Sequence, residues 1–207
     1  MMITKQLAGV CGLLLALPLL SHAVSFVAQP NVFTPDVLSE PTANQTLYGE
    51  LADWPHTFTF YVASTTEVRY TTAIAPDGDP VSLLLVRETE RGVSEVARQK
   101  GQNVAWVERR DRRLGVSLAQ ATSVTAILTP GAYKLEISNA ENRGRYQLQI
   151  GEGSGGGFWR NIRDSFSVHA FYGSWTDAFF TWRVLLLLIG IVLLGGWWHR
   201  RTKTKHA

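Results

Sequence analysis

The sequence predicts a mainly β protein: a jelly-roll-like antiparallel β-sandwich over residues 47–150, then a short amphipathic helix and one transmembrane helix. Apolar residues alternate with polar ones in short runs, as at Phe58, Phe60 and Val62. Such alternation is typical of strands with one buried face. Turn residues separate the runs, and an uncharged apolar stretch at 184–198 follows them. Together these patterns favour one exported domain on one membrane anchor.

Residues 1–23 have the pattern of a secretory signal peptide. Lys5 precedes an apolar stretch over 7–20, and Ser21-His22-Ala23 offers a small-x-small cleavage site. Cleavage after Ala23 removes the only cysteine of the chain, Cys11, so the mature protein has no thiol chemistry. We predict that residues 24–46 form an extended N-terminal segment.

The β-domain is predicted to contain about eight to ten short strands, at the spacing of a sandwich or barrel. The run Val81–Val86 is almost wholly apolar, which is typical of a central strand buried on both faces. The other runs alternate, and turn signals such as Pro130-Gly131 and Asn142-Arg143-Gly144 separate them. No internal repeat is evident.

Two segments of this domain resemble bacterial pre-peptidase C-terminal-type domains. The first is Leu47–Val62, with Gly49-Glu-Leu51 and then Asp53 before an aromatic alternating strand; the second is the closing pair of strands in Leu128–Ile150. The resemblance covers about half of the chain and implies a jelly-roll sandwich that is usually non-catalytic. It also implies attachment to exported enzymes or surface proteins. A weaker resemblance is to GOLD-type domains.

Some pre-peptidase C-terminal-type domains bind calcium through acidic loops, and this resemblance makes Asp77 and Asp79 weak calcium candidates. They lie in Pro76-Asp-Gly-Asp-Pro80. Calcium takes six to eight oxygen ligands, and two carboxylates do not supply them. A plain turn, with Asp and Gly selected for backbone geometry, is the alternative. The sequence predicts no other metal and no cofactor.

Residues 151–157 are predicted to be a flexible Gly-rich linker, and 158–173 an amphipathic helix that ends at Gly173. Its apolar face either seats the protein on the outer leaflet of a membrane or docks on another membrane subunit. The predicted interface residues are mostly aromatic: Phe158, Trp159, Ile162, Phe166, Phe171, Tyr172 and Trp175.

A transmembrane helix is predicted over residues 174–198, followed by a basic cytoplasmic tail at 199–207. A span needs about 20 predominantly apolar residues, with aromatic belts at its ends and positive charge on the cytoplasmic side. The expected anchor residues are Trp182, Arg183, Trp197, Trp198, Arg200 and Arg201. The predicted location is therefore the bacterial inner membrane, single-pass, with the domain in the periplasm.

The charge distribution gives no sign of nucleic-acid binding. The formal net charge is +3, but all 17 acidic residues lie between residues 24 and 182. The positive excess belongs to the signal segment, to Arg183 and to the tail, where it reports membrane topology. The cluster Arg109–Arg113 is predicted to be a solvated hairpin loop, with an anionic partner or lipid headgroups as the alternative.

No catalytic motif is found: the sequence has no HExxH, GxSxG or phosphate-binding loop. We expect a non-catalytic accessory, assembly or scaffolding subunit that binds the lipid bilayer and a membrane or periplasmic protein. A carbohydrate- or ligand-binding module, using Trp54 and Trp106, is one alternative. A secretory-pathway cargo adaptor with a GOLD-like domain is another, and the sequon Asn44-Gln-Thr46 favours it.

Overall fold

The computed structural model describes residues 24–27, 34–111, 114–152, 158–173 and 182–203. The predicted signal peptide, residues 1–23, lies outside the described residues. The strands, in chain order, are β1 (Val24–Phe26), β2 (Asp36–Val37), β3 (Gln45–Ala52), β4 (His56–Val62), β5 (Thr66–Ile74), β6 (Ser82–Thr89), β7 (Gly92–Gln99), β8 (Trp106–Asp111), β9 (Val116–Ala121), β10 (Val124–Leu128), β11 (Gly131–Ser138) and β12 (Arg143–Ile150). The helices are α1 (Phe158–Phe171) and α2 (Trp182–Lys203).

The strands form two sheets, which confirms the prediction of a mainly β, sandwich-type domain. The large sheet has the order β1-β3-β12-β5-β9-β8, with β10 also paired to β5. The small sheet has the order β2-β4-β11-β6-β7. Neighbours are antiparallel except for β1 on β3 and β2 on β4, which are parallel. The segment predicted as merely extended, 24–46, thus adds an edge strand to each sheet.

The main core lies between the two sheets, and the alternating pattern generates it. On β11 the side chains of Leu135 and Ile137 point inward and have no exposed surface, and Leu148 and Ile150 on β12 do the same from the opposite sheet. Full burial of such a side chain contributes about 1.5–3 kcal/mol. Core residues therefore come from both sheets, as a sandwich requires.

Strand β6 is buried on one face, whereas the sequence predicts burial on both faces. Leu83 and Leu85 are buried in the core, whereas Leu84 between them is half-buried and faces outward. The pairing of β6 with β7 shifts register between Leu85 and Val86. The apolar run is thus buried on its inward face only. In the described structure, no layer covers the outward face of the small sheet as fully as α1 covers that of the large sheet.

The outward face of the large sheet is apolar where α1 packs. Tyr48, Ala73, Val116 and Leu118 point away from the main core and form a second cluster with Val168 of α1. A sheet whose strands are apolar on both faces requires a further layer on the second face. Helix α1 is that layer, so the described domain has three layers: helix, large sheet and small sheet.

Helix α1 ends where the sequence predicts. Gly173 adopts a left-handed φ of 80° and its N–H donates to the carbonyl of Ala170 at 3.1 Å. The N–H of Tyr172 donates to the carbonyl of Val168 at 3.0 Å. A left-handed glycine after the last turn is a common helix stop, because it satisfies carbonyls that the helix leaves unpaired.

Helix α2 contacts α1, and its first turn contains the buried Val184. The apolar side chains from Leu185 to Leu194 that are described as exposed have 42–72% of their surface accessible. Within the described residues, neither helix combines the length and the apolar character that crossing a membrane demands. The transmembrane helix over 174–198 stays a prediction, and its first part, 174–181, lies outside the described residues.

Candidate functional site

An aromatic cluster forms where the C-terminal end of α1 meets the large sheet. Tyr48 of β3 lies at its base, and Phe26, Phe171 and Tyr172 surround it with ring centroids at 5.5, 5.9 and 6.2 Å. Phe171 also contacts Phe26 at 5.6 Å and Tyr172 at 5.1 Å. Phe26 and Tyr48 are stacked and the other pairs are tilted or edge-on. Such pairs add about 0.5–1.5 kcal/mol each beyond area burial. We call these four residues together with Arg145 the aromatic patch.

The strand pairing places each member of the aromatic patch. The parallel ladder of β1 on β3 sets Phe26 directly beside Tyr48. On the next strand of the sheet, the Arg145 guanidinium lies 5.3 Å from the centre of the Phe171 ring and forms an ion pair with Glu50 at 3.4 Å. A guanidinium over an aromatic face is held by the quadrupole of the ring.

The aromatic patch is partly open to solvent. Phe26 keeps 44% of its surface exposed, Phe171 and Tyr172 are half-buried, and Tyr48 is fully covered. Burial raises the pKa of the Tyr172 phenol, more than the nearby Arg145 lowers it, so this group stays neutral at ordinary pH. The exposed surface therefore offers aromatic rings and one cation, with no competing tyrosinate.

Helix α1 is fixed on the sheet by two hydrogen bonds to one carbonyl. Ser165 Oγ donates to the carbonyl of Leu114 at 2.7 Å, and His169 Nε2 lies 3.1 Å from the same oxygen. A carbonyl only accepts, so Nε2 is the protonated ring nitrogen of His169. Leu114 is fully buried at the turn between β8 and β9. The helix thus covers the end of that hairpin.

The predicted interface residues divide into three groups. Ile162 is buried, Phe166 is half-buried, and Phe171 and Tyr172 contact Tyr48, so part of the predicted partner or membrane face packs on this chain's own sheet. Trp175 lies outside the described residues. For the remaining predicted interface and anchor positions, the backbone lies in a helix and the side chains are outside the described part: Phe158, Trp159, Trp182, Arg183, Trp197, Trp198, Arg200 and Arg201. Their role as interface or anchor stays a prediction.

A second group of polar residues lies inside the sandwich. His56 of β4 is 1% exposed, and its Nε2 lies 2.6 Å from Oδ2 of Asp36, on the neighbouring edge strand β2. Its Nδ1 lies 2.6 Å from the hydroxyl of Tyr146, on β12 of the opposite sheet. The neutral tautomer that donates from Nε2 to the carboxylate and accepts the tyrosine proton at Nδ1 satisfies all three groups.

The environment of this network indicates a structural role. Burial lowers the pKa of His56, although the hydrogen bond and charge of Asp36 oppose this shift. Burial also raises the pKa of the Tyr146 hydroxyl well above its ordinary value. Tyr146 has no exposed surface, so neither it nor the imidazole reaches a substrate. The arrangement joins the two sheets and leaves only the Asp36 carboxylate, 37% exposed, in contact with solvent.

The calcium candidates lie in an exposed turn. The N–H of Gly78 donates to the carbonyl of Ala75 at 2.9 Å, which closes a turn over residues 75–78 that contains Asp77 and is followed by Asp79. Among the residues that the structure describes, no group of three or more His, Cys, Asp or Glu side chains is placed to hold a metal ion. The turn therefore presents two carboxylates, and calcium binding there stays a prediction.

The two tryptophans considered for sugar stacking have different environments. Trp106 is half-buried against the main core, and its Nε1 donates to the carbonyl of Gly101 at 2.9 Å. Trp54 is 54% exposed at the turn before β4. Only Trp54 therefore presents an open ring.

Sequence reasoning missed Phe26, Tyr48 and Arg145, which complete the aromatic patch. Tyr48 carried a detectable signal, because it follows the apolar Leu47 and so breaks the strict alternation of a one-sided strand. Phe26 and Arg145 carried none, since their proximity depends on how β1 and β12 flank β3.

Comparison with known proteins gives no family. No protein-family profile and no curated protein matches the sequence. Similar solved structures include the pre-peptidase C-terminal domain of a collagenase from Bacillus anthracis, at 15% identity and a TM-score of 0.34, over 64% of this chain and 99% of that one. CorA, a surface-associated copper-binding protein of Methylomicrobium album BG8, has 6% identity and a TM-score of 0.30, over 63% and 98% of the two chains.

A third similar structure is the glucuronidase BtGH115A, at 19% identity and a TM-score of 0.28; the match covers 50% of this chain and 14% of that chain. At such identities and TM-scores these likenesses concern the general fold at most, and nothing about activity follows from them. Membership of the pre-peptidase C-terminal-type family therefore stays a prediction.

Proposed function

We propose that this protein is a non-catalytic accessory or scaffolding subunit of the bacterial envelope, which binds another envelope protein through the aromatic patch. The observation that carries the proposal is the composition of this surface: two part-exposed phenylalanines, a tyrosine and an arginine over one well-packed base. Aromatic residues and arginine dominate the energetics of protein–protein interfaces. The fixed rings also lose little conformational entropy when a partner covers them.

Membrane anchoring is the second part of the proposal. The signal peptide, the exposed apolar residues of α2 and the basic tail support a single-pass anchor in the inner membrane, with the sandwich in the periplasm. In this arrangement the predicted anchor residues from Trp182 to Arg201 belong to the span and its cytoplasmic flank. The rest of the chain presents its aromatic patch close to the bilayer, because Tyr172 shortly precedes the anchor.

The favoured partner is therefore a membrane protein with a surface near the outer face of the bilayer. The charge of Arg145 is shared with Glu50, so the patch is closer to neutral than to basic. A partner surface that is mainly apolar, with one carboxylate or carbonyl to meet the guanidinium, is complementary to it.

Site-specific crosslinking in the native membrane tests this proposal. A photoreactive phenylalanine analogue replaces Phe26 in one strain. In the control strain it replaces Trp54, which is at least as exposed but lies outside the aromatic patch, before β4. We expect one membrane protein to be crosslinked from position 26 and not from position 54. Phe26→Ala and Arg145→Ala should each reduce its recovery after mild-detergent purification, with the sandwich still folded by circular dichroism.

Three results contradict the proposal. Crosslinking to the same protein from both positions means that the contact is not specific to the patch. Crosslinking to a second copy of this chain means that the patch is a homodimer interface. Recovery of the protein alone from both strains means that the patch has no partner.

A further inference from the structure

The outward face of the small sheet contains a cleft of about 330 Å³ that shares no lining residue with the aromatic patch. Its floor is a row across three neighbouring strands: Glu136 of β11 pairs with Leu84 of β6, and Leu84 pairs with Arg98 of β7. The half-buried Leu84 is thus an apolar platform with a carboxylate on one side and a guanidinium on the other. This is the residue that the sequence predicted to be buried in the core.

Residues 101–103 form one wall of the cleft and are held in place by hydrogen bonds within the protein. The N–H of Gly101 donates to Ser82 Oγ at 3.0 Å, and its carbonyl accepts from the Trp106 indole at 2.9 Å. Any side chain at Gly101 would collide with the backbone of Val81, so this close approach requires glycine. The turn that carries Gln102 is therefore held rigidly at the rim of the cleft.

The opposite wall is equally fixed. The Asn139 side chain donates to the carbonyl of Arg143 at 2.7 Å and accepts from its N–H at 3.1 Å, which closes the turn between β11 and β12. Ser138, next to it, lies opposite Ser82 on the adjacent strand. The cleft therefore has an apolar floor and two preformed rims of hydroxyl and amide groups, which is the chemistry of a small polar-ligand site.

The cleft presents charges of both signs, Arg98 and Lys100 against Glu136 and the neighbouring Glu95, so a complementary ligand has both an anionic group and hydroxyl donors. Arg98 is shared with Glu95, whose Oε2 lies 2.9 and 2.7 Å from two of its nitrogens. Lys100 adds an exposed ammonium at the rim, and Glu136 is an acceptor beside Leu84. A simple anion does not use Glu136, and a neutral sugar does not use Lys100.

We propose that this cleft binds an acidic sugar, a hexuronic acid unit of a larger glycan. The apolar face of the pyranose ring packs on Leu84, the sugar hydroxyls donate to Glu136 and bond to Gln102, and the carboxylate is held by Lys100 with Arg98 behind it. The inference does not depend on membrane anchoring or on the aromatic patch, since none of those residues lines the cleft.

Ligand-observed NMR on the full-length protein in mild detergent tests the inference. The probes are glucuronic acid, glucose and inorganic phosphate. We expect glucuronic acid to bind, and to bind more tightly than glucose by about fivefold, the usual upper size for one exposed charge contact. Lys100→Ala should remove that difference, and Glu136→Gln should weaken both sugars.

Lys134→Ala is the matched control, because Lys134 is on the same face of β11 but pairs with Glu88 at 2.7 Å, away from the cleft. It should leave the affinity for glucuronic acid unchanged. The inference is overturned if glucuronic acid does not bind the wild-type protein at about 10 mM, a weak affinity on the usual scale, or binds no more tightly than glucose. It is equally overturned if Lys100→Ala and Lys134→Ala behave alike, or if phosphate displaces glucuronic acid at equal concentration.

Discussion

The two outward faces of the sandwich have the same strand geometry, but one is covered by a helix and the other is exposed. The large sheet turns Tyr48, Ala73 and Leu118 outward and is covered by α1, whereas the small sheet turns Thr57, Thr59 and Tyr61 outward on β4 and is open. The inward residues of both sheets pack into the same core. The difference shows that the identity of the outward residues, more than the alternation itself, decides whether a sheet acquires a third layer.

Two tyrosines on these faces allow the sharpest test of the comparison. Tyr48 is fully buried beneath α1, and Tyr61 is 67% exposed on the small sheet. Tyr48→Ala should lower the free energy of unfolding by about 3–5 kcal/mol, as for other large aromatic-to-alanine changes in cores. Tyr61→Ala should change it by no more than about 0.5 kcal/mol. Denaturant unfolding followed by circular dichroism measures both.

Hydrogen exchange distinguishes the cause of the larger effect. In Tyr48→Ala, the amides of α1 should exchange faster than in the wild type while those of β11 and β6 keep their protection. Equal effects of the two substitutions on stability would mean that α1 is not an integral layer of the fold.

The extent to which the sequence predicted these features follows from the range of the interactions. Local patterns predicted the inward residues of β4 and the end of α1 at Gly173, because alternation and glycine stops involve neighbours in the chain. The packing of α1 on Tyr48 and the contact between His56 and Tyr146 were not predicted. The latter joins residues 90 positions apart on opposite sheets, and no local pattern encodes such a contact.

Removing the hydrogen bond between the two sheets should have an intermediate effect on the free energy of unfolding. In Tyr146→Phe the ring remains, but Nδ1 of the buried His56 loses its 2.6 Å hydroxyl partner. Leaving a buried acceptor unpaired costs about 1–3 kcal/mol, and the loss should appear in denaturant unfolding at pH 7.5. Tyr61→Phe, on the open face, is the matched control and should be neutral. A neutral Tyr146→Phe would show that the network contributes nothing to joining the sheets.

The same histidine makes stability depend on pH. Burial lowers the pKa of His56 in the folded state below 6.5, so the unfolded chain binds more protons than the folded one at and below that pH. The stability contribution is complete above pH 6.5 and is lost as the pH falls towards the folded-state pKa. Denaturant midpoints at pH 7.5, 6.5 and 5.5 should therefore decline more steeply for the wild type than for His56→Gln. Parallel curves for the two proteins would contradict this assignment.

The smallest effect is expected at the contact that fixes α1 to the β8–β9 hairpin. Ser165→Ala removes the 2.7 Å hydrogen bond to the carbonyl of Leu114, but His169 still donates to that oxygen. The loss should therefore be near the lower end of the usual range, about 0.5 kcal/mol. Adding His169→Phe leaves the carbonyl of a fully buried residue without either donor, and the combined loss should exceed the sum of the single losses. Additive losses would indicate that water replaces both donors, and that α1 is less tightly seated on the large sheet than its burial implies.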